Sequence, residues 1–151
     1  MCGIVYNTIM DKYQIIIDTN VVYSALRSRR GASFRLISLL NSGKFEINLS
    51  VPLILEYEDV LKRNPPTLAI TKEQIDKFLD YLCLIGNCHD VYYLWRPILR
   101  DPGDDLILEL AVRANCKYIV TYNKPDFTGV KEFGIEVVTA KEYLKIIKEL
   151  P

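Results

Sequence analysis

Apolar and polar positions fall into blocks along the chain. Ile15-Ile16-Ile17 is an unbroken apolar run that stops at Asp18-Thr19-Asn20. Such a run, without polar alternation, suits a strand covered on both faces and predicts a central parallel strand with Asp18 at its carboxyl end. Val21, Val22, Ala25 and Leu26 follow at helical spacing, with Thr19 or Asn20 as the expected cap. The competing structural reading is that Asp18 only caps this helix. Phe34, Leu36, Ile37, Leu39 and Leu40 mark a second helix closed by Asn41-Ser42-Gly43, and Phe45 to Leu49 alternates as a second strand. Ser50 caps the next helix and Pro52 sits in its first turn. From Val51 to Arg63 the residues Leu53, Ile54, Tyr57, Val60 and Leu61 form a core-facing stripe. Glu56 and Glu58 lie on its opposite flanks, and helical geometry does not choose between them as the residue facing a cleft.

Further on, Thr71 opens a helix that runs to Gly86, and Val91-Tyr92-Tyr93-Leu94 reads as a strand. Leu106, Ile107, Leu110, Ala111 and Ala114 mark the buried face of a helix entered through Arg100-Asp101-Pro102-Gly103-Asp104-Asp105. Lys117 to Thr121 is the next strand, followed by Tyr122-Asn123-Lys124-Pro125-Asp126-Phe127, so an apolar strand again hands over to oxygen-bearing side chains. Ile135 to Val138 is the last strand, and Thr139 caps a terminal helix from Ala140 to Leu150. This alternation predicts a single α/β domain over residues 13–150: three α/β/α layers around a mostly parallel sheet of about five strands. Residues 1–12 are left as an N-terminal extension with no assigned role.

Charge and composition narrow the function. Lys and Arg number 19 against 19 Asp and Glu in 151 residues, so no global field draws the protein to a polyanion or a membrane. A nucleic acid would need a local basic patch, and Arg27, Arg29 and Arg30 crowd one loop. No apolar run approaches the roughly eighteen residues of a membrane span, and the first ten residues lack the pattern of a secretory leader, which together point to the cytoplasm. Cys2, Cys83, Cys88 and Cys116 show no C-x-x-C spacing, so reduced and mostly buried thiols are expected. His89 is the sole histidine and reads as structural, leaving the chemistry to carboxylates.

In the acidic stretch, Asp101 at the N-cap, Pro102 at the first helical position and Asp104 in the first turn are explained by helix-start physics. Asp105 exceeds what capping needs. Adjacent carboxylates raise one another's pKa unless a cation neutralises them, and a divalent metal is the simplest remedy.

These features together carry a resemblance. An apolar strand ending in D-T-N, a glutamate in the helix after the second strand, D-x-x-D-D opening a later helix and V-T-Y-N-K-P-D-F after a strand are similar to the PIN domain family, over about Tyr13 to Leu150. The nearest likeness is to single-domain toxins of toxin–antitoxin systems. The resemblance implies that Asp18, Glu56 and Asp105 form the acidic core, which also breaks the tie with Glu58. It further implies that Asn20 and Thr121 orient this core, that Asn123 or Asp126 fills the fourth ligand place, and that Asp101 and Asp104 are additional acids. The departure is Asn123, where many members carry aspartate.

Such a hard oxygen set suits Mg²⁺ or Mn²⁺, and ions of this kind activate water for phosphodiester hydrolysis without a catalytic histidine. The function expected from the resemblance is metal-dependent RNA cleavage. Arg27, Arg29, Arg30 and Lys124 are the expected phosphate contacts, and Tyr122 or Tyr23 is available for stacking. A protein antitoxin and a homodimer are the partners expected. Two other classes compete: a non-catalytic PIN-fold module for RNA or protein binding, and an aspartyl-phosphate phosphotransfer domain. The latter would want a second Asp in place of Asn20 or an acidic pair after the first strand, and neither is present.

Overall fold

The computed structural model describes residues 12–63, 68–91 and 102–151. Among these, five strands form one wholly parallel sheet: β1 (Tyr13–Ile17), β2 (Phe45–Leu49), β3 (Asn87–Cys88), β4 (Tyr118–Val120) and β5 (Glu136–Val138). Six α-helices connect or follow them: α1 (Thr19–Arg27), α2 (Ala32–Ser38), α3 (Val51–Arg63), α4 (Lys72–Ile85), α5 (Pro102–Arg113) and α6 (Ala140–Ile146). The strand order is β3-β2-β1-β4-β5. The chain therefore winds outward from β1 to one edge, then returns to the other side of β1 and winds to the opposite edge.

That reversal positions the site. In doubly wound sheets the crevice lies beyond the carboxyl ends of the strands where the winding changes direction, here between β1 and β4. Ile15, Ile16 and Ile17 are all buried, as a strand covered on both faces requires, and Ile17 pairs with Val120. One residue further on, the Asp18 N–H donates to the Val120 carbonyl at 2.8 Å, so the two strands end side by side. At the other end, Tyr13, Phe45, Tyr118 and Tyr143 meet edge to face, with neighbouring ring centroids 5.1–5.6 Å apart.

Helices cover the sheet in the expected three layers: α2 packs on α1 and α6, while α3 packs on α1, α4 and α5. Local signals account for many of their ends. Thr71 and Thr139 both form complete capping boxes, with Gln74 and Glu142. Gly86 ends α4 where a side chain would crowd the backbone, since a Cβ there would lie 2.9 Å from the Leu82 carbonyl oxygen as well as 2.6 Å from Leu49 Cδ1. Asn115 and Lys148 adopt positive φ, and the N–H groups of Cys116 and Glu149 close back on the carbonyls of Ala111 and Leu144 at 2.8 Å, ending α5 and α6.

Several expectations change. The terminal helix stops at Ile146, because the chain turns left-handed at Lys148 although apolar periodicity continues to Leu150. The second helix is shifted to Ala32–Ser38. The third strand is Asn87–Cys88, ahead of the expected Val91 to Leu94, of which residues 92–94 lie outside the described residues. Most of the proposed extension, residues 1–11, also lies outside them. The thiols are not mostly buried: Cys83 and Cys88 are exposed and only Cys116 is buried among the described residues. No described helix is long and apolar enough to cross a membrane.

Candidate active site

The site is built around the Asp18 carboxylate, which is only 7% exposed. Asp18 is the N-cap of α1, so the helix-capping reading is correct in itself and the expected caps, Thr19 and Asn20, lie inside the helix instead. Capping does not exhaust the carboxylate. Oδ1 accepts from the Thr19 N–H at 2.8 Å, while Oδ2 accepts from Thr121 Oγ1 at 2.7 Å and more distantly from Asn20 Nδ2 at 3.4 Å.

Thr121 and Asn20 form the polar frame. Thr121 is fully buried, and its hydroxyl accepts from Asn20 Nδ2 at 3.3 Å and from the Asn123 N–H at 3.0 Å. Asn20 Oδ1 accepts from the Tyr122 N–H at 3.2 Å, which fixes which end of the amide faces which partner. Each partner here sits just past the end of β1 or β4, so the parallel register brings them together.

Glu56 joins from α3. Its Oε2 accepts from Thr19 Oγ1 at 2.6 Å, so one residue of α1 hydrogen-bonds both carboxylates. Glu58 instead pairs with Lys62 at 3.0 Å on the other flank of the helix. Beneath lies Tyr57, fully buried, its hydroxyl donating to the Ile17 carbonyl. Helical periodicity places Tyr57 in the core alone; a hydroxyl on an otherwise aliphatic stripe is the one sequence signal that it supports the strand end.

The electrostatics follow from this crowding. Burial is the main cause that holds the Asp18 carboxyl above the ordinary carboxylate range. Hydrogen bonds from Thr121 and Thr19 oppose the shift, while the charges of Glu56 and Asp126 add to it. Tyr57 is pushed well up, first by burial and then by Asp18 and Glu56. Asp126 lies in a short 3-10 turn, Lys124–Phe127, that follows β4.

The other predicted residues are distributed as follows. Asp105 is buried in the first turn of α5 beside Asp104, and α5 does begin at Pro102. Asp101 lies outside the described residues. Asn123 is exposed, with its backbone tied to Thr121. Arg27, Arg29 and Arg30 are exposed, but they do not share one loop: Arg27 ends α1, Arg29 and Arg30 lie on the turn after it, and the Arg27 guanidinium sits 6.0 Å from the Tyr23 ring centroid. Lys124 Nζ contacts both carboxylate oxygens of Glu142, at 3.0 and 3.2 Å, so any phosphate contact it makes competes with that pair. His89 lies away from the site, its Nε2 on Asn48 Oδ1 at 2.8 Å.

All the acidic side chains here are hard oxygen donors, the chemistry that suits a divalent cation. Their spacing in this arrangement is looser: among the described residues no three Asp, Glu, His or Cys side chains are grouped so as to hold an ion. The arrangement supplies two carboxylates, Asp18 and Glu56, that both accept hydrogen bonds from Thr19.

Comparison with known proteins identifies the family and the fold. The model of a family described as PIN domain matches residues 14–125, more than half of the chain. No curated protein matches by sequence. Among solved structures, VapBC2 from Rickettsia felis, bound to a DNA fragment from their promoter, is similar with a TM-score of 0.54 and 17% identity, covering 82% of this chain and 98% of that one. A PilT N-terminus domain protein from the archaeon Sulfolobus solfataricus P2 gives a TM-score of 0.55 at 16% identity, covering 91% and 96%. At these identities the likeness is one of fold.

Proposed function

Because the chain belongs to the PIN domain family, we propose that it is a metal-dependent endoribonuclease, working in the cytoplasm as the toxin of a toxin–antitoxin pair. The observation that carries this reading is the Asp18 carboxylate. It is buried at the point where the sheet's winding reverses, and it is pressed by the like charge of Glu56. A buried carboxylate with a second one beside it is costly unless a cation shares them or one takes a proton.

In this reading Asp18, Glu56 and Asp105 are the acidic core, with Asp126, Asn123, Asp101 and Asp104 as the further candidate ligands. A bound Mg²⁺ or Mn²⁺ would supply an activated water and steady the leaving oxygen. The chain's own residues position the rest. Thr121 and Asn20 hold the Asp18 carboxylate in one orientation, and Thr19 holds Glu56 toward it. Tyr57 secures the strand end beneath. Arg27 at the end of α1 and Arg29 and Arg30 on the turn after it carry exposed positive charge, where a phosphate backbone can be held. The likeness to VapBC2 supports a protein antitoxin as partner, and a homodimer is the expected assembly.

The test is cleavage of single-stranded and structured RNA with Mg²⁺, Mn²⁺ or EDTA, beside Asp18→Asn and Asp105→Asn. Cleavage of the single strand that needs the ion and falls in both variants is expected. The fall should be at least the roughly 10- to 100-fold that loss of an outer-sphere partner costs a metal site. Cleavage that survives EDTA, or both substitutions, overturns the proposal. RNA binding without cleavage under any metal would leave a non-catalytic binding module.

A further inference from the structure

The residue that follows Thr121 is held in an unusual way for a surface aromatic. Tyr122 is tied at two points: its backbone N–H donates to Asn20 Oδ1 at 3.2 Å, and its hydroxyl is hydrogen-bonded to Ser33 Oγ on α2. Ser33 is itself only 1% exposed, so this anchor belongs to the core. Yet 45% of Tyr122 remains open to solvent. An aromatic side chain fixed at its tip and at its backbone, with much of its surface uncovered, has already lost the rotamer freedom that a binding event would otherwise remove.

Its neighbours set the ligand class. Its backbone N–H shares Asn20 with the Asp18 carboxylate, so the residue sits at the edge of that cleft. Through Ser33 the ring hydroxyl is joined to the start of α2, directly after the turn that carries Arg29 and Arg30. A flat π-surface between an acidic cleft and a cationic turn matches one repeating unit of a single strand, a phosphate with a base beside it. Tyr23 fits this less well, because it is partly buried against the core and already has the Arg27 guanidinium over its ring.

We propose that the Tyr122 ring is a nucleobase-stacking subsite, taking an unpaired base of single-stranded RNA at the rim of the Asp18 cleft, with the strand's phosphates toward the arginine-bearing turn. The proposal rests on the ribonuclease reading for its substrate. Stacking on a π-face tolerates every base, so Tyr122 confers preference for unpaired over paired RNA rather than for a sequence.

The experiment measures equilibrium binding, in EDTA so that the strand stays intact. The probe is a fluorescently labelled single-stranded RNA octamer, compared with octamers carrying one abasic nucleotide at each position in turn. Wild-type protein should show one position where loss of the base weakens binding by roughly 5- to 100-fold. Tyr122→Ala should bind the intact octamer more weakly by a similar factor and lose its sensitivity to that position. Ser33→Ala should bind with an intermediate loss, since the ring stays but its anchor goes. Tyr122→Trp keeps a stacking surface and adds an indole whose fluorescence should be quenched as RNA is added. This variant also serves if Tyr122→Ala does not fold. The proposal is overturned if wild type shows no such position, if the abasic penalty survives in Tyr122→Ala, or if the Tyr122→Trp indole is unaffected by saturating RNA. Failure of the nuclease reading looks different: Tyr122-dependent binding would persist without metal-dependent cleavage.

Discussion

Thr121→Val keeps the shape of a fully buried side chain and removes one hydroxyl, which makes it a direct probe of what holds Asp18 in place. The hydroxyl donates to Asp18 Oδ2 at 2.7 Å, and without it that oxygen retains only Asn20 Nδ2 at 3.4 Å. A hydrogen bond to a charged group is worth about 1.5–3 kcal/mol, and the added methyl returns up to about 0.8 kcal/mol of burial. The Asn123 N–H also loses its acceptor, but Asn123 is exposed and water can replace it. The net cost at pH 7 should be about 2 kcal/mol, which for a chain of this size lowers Tm by roughly 4–8 °C. The hydroxyl favours the ionised form of Asp18, so the cost should shrink when Asp18 is protonated. Urea unfolding followed by circular dichroism at pH 7 and near pH 4 measures both values. Thr121→Ser, which keeps the hydroxyl, should recover much of the loss. In an Asp18→Asn background the penalty should fall, giving a coupling energy of about 1 kcal/mol or more. A penalty under about 0.5 kcal/mol at pH 7, or one that is equal at both pH values, would refute the claim that Thr121 acts through the Asp18 charge.

Asp18→Asn should raise stability at neutral pH. The folded-state pKa of Asp18 lies above its unfolded value, mainly through burial, so the native state binds the extra proton. This group therefore favours folding in acid, and its contribution is lost as pH climbs from about 4 through the raised value. Unfolding profiles of the two proteins should converge at low pH and separate above it; a variant that is less stable at pH 7 contradicts the reasoning. Glu56→Gln should reduce RNA cleavage at least about 10-fold, while Glu58→Gln leaves it unchanged and costs no more than about 1 kcal/mol, because Glu58 only pairs with Lys62 at the surface. Equal kinetic losses in the two variants would remove the basis for choosing Glu56. Iodoacetamide at pH 8 should label Cys83 and Cys88 in the native protein, whereas Cys116, buried and with its thiol pushed up to about 12, should react only after unfolding. Mass spectrometry of the labelled peptides distinguishes them.

Local chemistry alone determined much of this protein. The Ile15-Ile16-Ile17 run, the β2 alternation, the α3 stripe from Val51 to Arg63, the Thr71 and Thr139 caps and Pro102 at the start of α5 all act within a few residues, and each formed the element its pattern predicts. That Asp18 stands at the carboxyl end of a buried strand was equally legible, since a strand's end is a local event. The termini of α2 and α6 were less so, because apolar residues continue beyond them and only the backbone turn at Lys148 decides where α6 stops. Which side chains meet was settled by the tertiary structure. Thr19 reaches Glu56 across 37 positions and Thr121 reaches Asp18 across 103, contacts that depend on the packing of α3 against α1 and on the parallel register of β1 with β4. The role of Tyr57 beneath the site and the tie from Tyr122 to Ser33 arise in the same way. Periodicity says which face of an element is buried; it carries no information about which distant element will cover that face, and the site is made from that second choice.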